Sequence, residues 1–334
     1  MKLFLRVFLA LAVSVSLTIG IWMARRVPPT TREAAPQNAP TRARAVGIWQ
    51  RTALVKYALI ISVDGMRPDL LLRAQTPNMH KLMNEGSFTF WAQTTEVAIT
   101  LPSHVSMLTG VKPERHKVDW NAPLTPEKQL YPQATTIFEL AKGHGLTTAL
   151  AAGKMKFAAL AKPGTVDWLF LPKNDNGDDP RVAWEAAAIV TEHKPNLLFV
   201  HFPATDAVGH TFGWSSPQQM ITIENADACV GTVLEAYKEA NLLDQVFIVL
   251  TADHGGQGLS HGANDARSRH IPWITRGPGI RRGYDLTIID RLNVDTEDTF
   301  ATTAYLLGLP VERSLDGQPV LQILAQKELL TDRP

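Results

Sequence analysis

Three continuous apolar runs punctuate the chain: Tyr57–Val63 (YALIISV), Leu197–Phe202 (LLFVHF) and Val246–Thr251 (VFIVLT). None alternates polar with apolar, so each predicts a strand covered on both faces. Between them apolar residues recur at helical spacing, as in Thr135–Gly145 (TTIFELAKGHG) and Ser216–Leu243 (SPQQMITIENADACVGTVLEAYKEANLL). Buried strands alternating with amphipathic helices predict an α/β fold, a mostly parallel central sheet with helices on both faces. In such sheets ligands bind beyond the carboxyl ends of the strands. There the pattern changes abruptly. Asp64 follows the first run, Asp206 and His210 the second (FPATDAVGH), and Asp253 and His254 the third (VLTADHGG). One such aspartate would be read as a turn former or helix cap. Three strands ending in the same chemistry predict a shared site.

The N-terminus follows a different pattern. Lys2 and Arg6 precede an uncharged run of 18 residues, Val7 to Ala24, which Arg25 and Arg26 close. As a helix that run spans about 27 Å, against a hydrocarbon core of about 30 Å. Residues 1–26 are expected to be an export signal or a retained membrane anchor, the latter favoured because no small-x-small cleavage site is evident. Residues 27–51, rich in Pro, Ala, Thr and Arg, predict a flexible tether. The folded domain is expected over 52–330, outside the cytoplasmic membrane. Of the 334 residues 45% are hydrophobic and the formal net charge is +1, which gives no electrostatic case for binding a nucleic-acid duplex. The single cysteine, Cys229, excludes an intramolecular disulfide and lies at helical spacing among apolar residues, as a buried thiol would.

Asp206 and His210, four apart, share a face if the chain turns helically after its strand. Gly255 and Gly256 let the backbone bend so that Asp253 and His254 both point inward. His261 (LSHGAND) follows closely enough to return to the same pocket. Mixed carboxylates and imidazoles suit zinc or manganese rather than calcium, and six ligands exceed the roughly three of one open catalytic zinc. Two divalent ions about 3.5–4 Å apart match the count better. The stretch Thr95–Gly110 (TEVAITLPSHVSMLTG) supplies hydroxyls at the start of a helix-like run, where backbone N–H groups favour a phosphate. Spacing alone leaves Thr100 and Ser103 open as nucleophile, with Ser103 the better N-cap.

The motifs ISVDGMRPD, TLPSHVSMLTG, PERHKVDWN, DAVGHTFG, TADHGG, SHGAND and IPWITRGPGI, in this order, resemble the alkaline phosphatase superfamily, and within it the nucleotide pyrophosphatase/phosphodiesterase group. The resemblance runs from Tyr57 to about Ile323. It implies an alkaline phosphatase-like fold and two zinc ions. One would be held by Asp64, Thr100, Asp253 and His254, the other by Asp206, His210 and His261, with His270 a rival to His261. It selects Thr100 as the nucleophile and assigns Asn121 to the phosphoryl oxygens. It implies hydrolysis of a small-molecule phosphodiester or phosphoanhydride. A phosphomonoesterase, a phosphonate hydrolase and a non-catalytic membrane-tethered binding protein are the alternatives; threonine counts against a sulfatase, whose nucleophile would be Cys or Ser. Nucleotide-hydrolysing members carry aromatic residues after the nucleophile and before the second aspartate, where this chain has Leu101 and His201. The chain is short, so the cap insertion is expected to be small, with Lys154–Asp179 its substrate-facing piece.

Overall fold

The eight-stranded sheet is built outward from Tyr57–Val63, whose seven residues are all buried. In chain order the strands are β1 (Ile48–Trp49), β2 (Tyr57–Val63), β3 (Ser87–Gln93), β4 (Thr148–Ala152), β5 (Trp168–Phe170), β6 (Leu197–Phe202), β7 (Val246–Thr251), β8 (His270–Arg276), β9 (Tyr284–Asp285) and β10 (Val311–Glu312). The computed structural model describes residues 47–49, 51–173 and 178–325. All belong to one compact unit, Ala45–Pro334. The expected anchor over 1–26, and the tether apart from its last few residues, lie outside the described residues. Among the described residues no helix is long and apolar enough to cross a membrane.

The sheet order is β5-β4-β6-β2-β7-β8-β3-β9. The first five strands run parallel, so their carboxyl ends emerge along one edge. β8 is antiparallel to both neighbours. β2 is therefore clamped: Ala58 pairs with Leu197 on one side and Phe247 on the other, and Ser62 with His201 and Thr251. Leu59, Ile60, Ile61 and Val63 are wholly buried, each stabilising the fold by about 1.5–3 kcal/mol. That burial fixes where the following aspartate emerges.

The helices begin where local chemistry favours it. Thr136 and Glu139 form a capping box ahead of Ile137–Gly143, and Ser216 caps the long helix Pro217–Glu239. That helix packs against Asp179–His193, which starts at the cap Asp178, and Cys229 is buried within it. Two sequence expectations change. β1 pairs antiparallel with β10, so the end of the segment read as tether contributes a strand. Within Lys154–Asp179, Trp168–Phe170 is the edge strand β5, paired with β4, rather than part of a cap.

Candidate active site

Asp64, Asp206 and Asp253 emerge from neighbouring strands onto one edge. Asp64 follows β2, its N–H donating to the Phe202 carbonyl of β6. Asp206 and His210 lie on the helix Ala204–Phe212, which begins two residues past β6. Asp253 and His254 stand two and three residues past β7. Gly65 knots these elements together: its N–H donates to Asp253 Oδ1 at 3.1 Å, and its carbonyl accepts from Trp214 Nε1. It has φ 72°, and a Cβ there would lie 3.1 Å from Asp206 Cα, so a side chain is strained by conformation and by space.

Each of the three histidines turns Nδ1 to a backbone carbonyl: His254 to Gly255 at 2.8 Å, His210 to Leu259 at 2.9 Å and His261 to Ala98 at 2.9 Å. A carbonyl only accepts, so Nδ1 carries a proton, and in the neutral ring Nε2 holds the lone pair. Those lone pairs face carboxylates. His254 Nε2 lies 3.3 Å from Asp64 Oδ1 and 3.2 Å from Asp253 Oδ2. His210 and His261 point Nε2 at Asp206 Oδ1, at 3.3 and 3.6 Å. Those same three oxygens, Asp64 Oδ1, Asp206 Oδ1 and Asp253 Oδ2, are buried without a hydrogen-bond partner. In the neutral ring, lone pair against carboxylate repels unless a proton or a metal cation lies between, and contact with Asp206 raises His210 above its ordinary value. The backbone carbonyls also orient the rings as carbonyls do behind metal-bound histidines. Two overlapping groups have ligand atoms within 4.8 Å of one another: Asp206, His210 and His261, and Asp64, Asp206 and His254. The donor set fits divalent ions. His270, the rival of His261, instead packs its ring edge-on to Trp91 at 4.9 Å.

Thr100 is the first residue of the helix Thr100–Thr109 and almost wholly buried. Its Oγ1 lies 3.4 Å from His254 Nε2. Neither hydroxyl caps the helix: Ile99 occupies the N-cap position, and Ser103 lies inside the first turn, bonded to Thr95 Oγ1. The expectation of Ser103 as the cap is thus corrected, because the helix starts three residues earlier. His104 Nδ1 donates to the Thr100 carbonyl at 2.7 Å, and its Nε2 accepts from Ser62 Oγ at 2.8 Å, tying the helix start to β2. Ala98, at φ 44°, holds a conformation unusual for a residue with a side chain, and its carbonyl is the one that orients His261. Asn121 Oδ1 accepts from the Leu101 N–H at 2.9 Å, so that N–H is committed to the asparagine.

Two groups were not read from the sequence as members of the acidic cluster. Lys154, just past β4, donates to Asp64 Oδ2 at 2.6 Å and Asp206 Oδ2 at 2.7 Å. The two carboxylates hold its proton above the usual lysine range although burial opposes the charge. His201, on β6, places Nε2 3.0 Å from Asp64 Oδ2. The charge balance is uneven. Burial and the nearby Asp64 push Asp253 well above the usual carboxylate range. Asp206 is held at about 2: burial and Asp64 push it up, and contact with His210 and Lys154 outweighs them. Burial and the adjacent His261 lower His254 to about 4, keeping it neutral. One lysine does not satisfy three buried carboxylates.

With this geometry in view, residues 58–273 match the family model described as type I phosphodiesterase / nucleotide pyrophosphatase. The chain belongs to this family. An uncharacterized pyrophosphatase/phosphodiesterase of Schizosaccharomyces pombe is 27% identical over 217 residues, 59% of this chain and 44% of the relative. Human ectonucleotide pyrophosphatase/phosphodiesterase family member 5 is 24% identical over 212 residues, with the same two shares. The chain thus spans under half the length of these relatives. The structure of an inactive variant of murine ectonucleotide pyrophosphatase/phosphodiesterase 5 in complex with AMP superposes with a TM-score of 0.67 at 16% identity, covering 81% of this chain and 100% of that one. A 2-O GAG sulfatase superposes with a TM-score of 0.66 at 15% identity, covering 80% and 74%. Both share the alkaline phosphatase-like α/β fold.

Proposed function

We propose that this family member is a metal-dependent phosphoric ester hydrolase of the phosphodiesterase/pyrophosphatase type, with Thr100 as nucleophile and a small-molecule phosphoester as substrate. The observation that carries it is the set of orphaned carboxylate oxygens facing imidazole lone pairs around one buried hydroxyl. Asp64, Asp253, His254 and Thr100 would hold one ion, and Asp206, His210 and His261 the other. Zinc suits this mixture of carboxylate and imidazole. The ions, when bound, supply positive charge that favours ionisation of the hydroxyl and stabilises the leaving oxygen.

The protein's own groups do the rest. Thr100 Oγ1 forms a bond to phosphorus as the ester P–O bond breaks and the leaving group departs. Water then cleaves the phosphothreonine, releasing the phosphoryl product and restoring the hydroxyl. The carbonyl-anchored rings of His254, His210 and His261 keep their donor atoms in place. The Asn121 amide group donates to a nonbridging oxygen, its Oδ1 being committed to Leu101. The Leu101 N–H cannot share that task. His104 positions Thr100 through its carbonyl.

Metal-loaded Thr100→Ala is the test. It is expected to retain about two zinc per chain and to lose turnover of bis-p-nitrophenyl phosphate by about 10³-fold or more. Turnover like the wild type would remove Thr100 from the mechanism; absence of bound zinc in the wild type would remove the metal reading. On the same proposal the run Val7–Ala24 carries the domain out of the cytoplasm, so a reporter fused after Pro334 that works only when exported should be active.

A further inference from the structure

We propose that Asp179 and Gln219 are positioning residues that clamp the first turn of the helix Ala204–Phe212, and that this clamp sets how tightly the ion assigned to Asp206, His210 and His261 is held. The inference rests on the hydrolase reading and deepens it. Two of the three ligands of that ion, Asp206 and His210, ride on this helix, and none of those assigned to the other ion does. The helix begins without a cap of its own: Pro203 occupies the N-cap position and makes no side-chain hydrogen bond. Asp179 supplies the missing acceptor from another element. It opens the helix Asp179–His193 and is almost wholly buried, and its Oδ1 accepts from the Ala204 N–H at 3.0 Å. A carboxylate there suits the unpaired N–H groups and the dipole of a helix start.

Gln219 grips the next residue. It is wholly buried in the helix Pro217–Glu239. Its Nε2 donates to the Thr205 carbonyl at 3.2 Å, and its Oε1 accepts from the Ser215 N–H at 2.8 Å, so the amide is fixed at both ends. The Thr205 carbonyl belongs to the peptide that enters Asp206. The turn that presents Asp206 is thus fixed by two other helices. Gly209 allows the close approach: a Cβ there would lie 2.8 Å from Gln219 Nε2. Asp179 itself adds little to stability. Its Oδ2 is buried with no hydrogen-bond partner among the described residues, and burial pushes the carboxyl up to about 7 although the Ala204 N–H opposes the rise. Burying a carboxylate for a single hydrogen bond costs free energy, as groups kept for the geometry of a site do.

The test measures zinc binding to the full-length chain by competition with a chromophoric chelator, without substrate. The wild type is expected to bind about two zinc ions. Asp179→Ala should weaken one of them by about 10–100-fold and leave the other within about three-fold. Asp179→Asn keeps an acceptor for the Ala204 N–H and should hold both ions within about three-fold of the wild type. Unchanged zinc binding in Asp179→Ala overturns the clamp. So does equal weakening of both ions, which would mean general loosening, and so does an asparagine variant no better than the alanine one. If Asp179→Ala does not fold, judged by its melting transition, Gln219→Met takes its place with the same selective loss expected, and its failure to weaken either ion overturns the clamp. The outcomes also separate this inference from its foundation. A wild type that binds two zinc ions while the variants match it rejects the clamp alone. A wild type without bound zinc rejects the metal reading and the clamp with it.

Discussion

Two buried acidic clusters can be set side by side. Around Asp64, carboxylate oxygens face imidazole lone pairs and one lysine, and three of those oxygens lack a hydrogen-bond partner. Around Asp298, at the start of the helix Asp298–Leu306, both carboxylate oxygens accept backbone N–H groups, from Asp295 at 2.9 Å and Gln318 at 2.7 Å. Burial pushes Asp298 up to about 7, and burial with the neighbouring Asp295 and Asp298 pushes Glu297 up to about 7. Burial and a displaced pKa are therefore common to both and identify neither. The distinguishing feature is what completes the oxygens: backbone N–H groups at Asp298, and no hydrogen-bond partner at three oxygens of the Asp64 cluster.

Exchanging each acid for its amide should pull the two clusters apart. Asp64→Asn is expected to lower bis-p-nitrophenyl phosphate turnover by about 10²–10³-fold and reduce bound zinc, measured by metal analysis. An unchanged zinc content would remove Asp64 from the ligand set.

Gly65→Ala tests the knot between the strands. It should cost about 1–3 kcal/mol of stability and about 10²-fold in turnover through displacement of Asp206. Denaturant unfolding and kinetics together check it, and full activity would show that the contact yields freely.

Asp298→Asn reverses the pattern. Its amide NH2 would meet a backbone N–H, costing about 1–3 kcal/mol of stability, while turnover per folded molecule stays close to that of the wild type. Loss of zinc from this variant would erase the contrast.

The smallest effect is on pH dependence. Glu297 and Asp298 titrate at higher pH when folded than in an unfolded chain, so between about pH 4 and 7 the folded state binds more protons. Their contribution to stability therefore falls as pH rises across that window. The decline in melting temperature should be shallower in Asp298→Asn. An identical slope would assign the decline to other groups.

The strands that carry the site were legible because nearly all their residues are apolar, and Tyr57–Val63, Leu197–Phe202 and Val246–Thr251 appear with the bounds read from the pattern. The aspartates and histidines that follow them were legible for the same reason. β4 was not. Thr148–Ala152 is short and rich in alanine, which carries little strand signal, and with it Lys154 went unplaced. The one available clue was TALAAGK, a small apolar run ending in glycine and a charge, the same punctuation as VDG and ADHGG. His104 and His201 were hidden differently. They belong to a helix interior and a strand, and only the register of β2 beside β6 brings Ser62 level with His201. Ser103 misled because a helix-favouring proline and a hydroxyl followed one another, while the turn began at Thr100.

The central position of β2 has a further consequence for how the molecule is made. This strand leaves the ribosome early, yet its two partners in the sheet, β6 and β7, are encoded far downstream. Until β7 and the loop through His261 have been synthesised, Asp64 has only part of its company. A chain arrested before that point would expose, along one side, a strand that is wholly buried in the finished fold, and the acidic cluster would not yet be assembled.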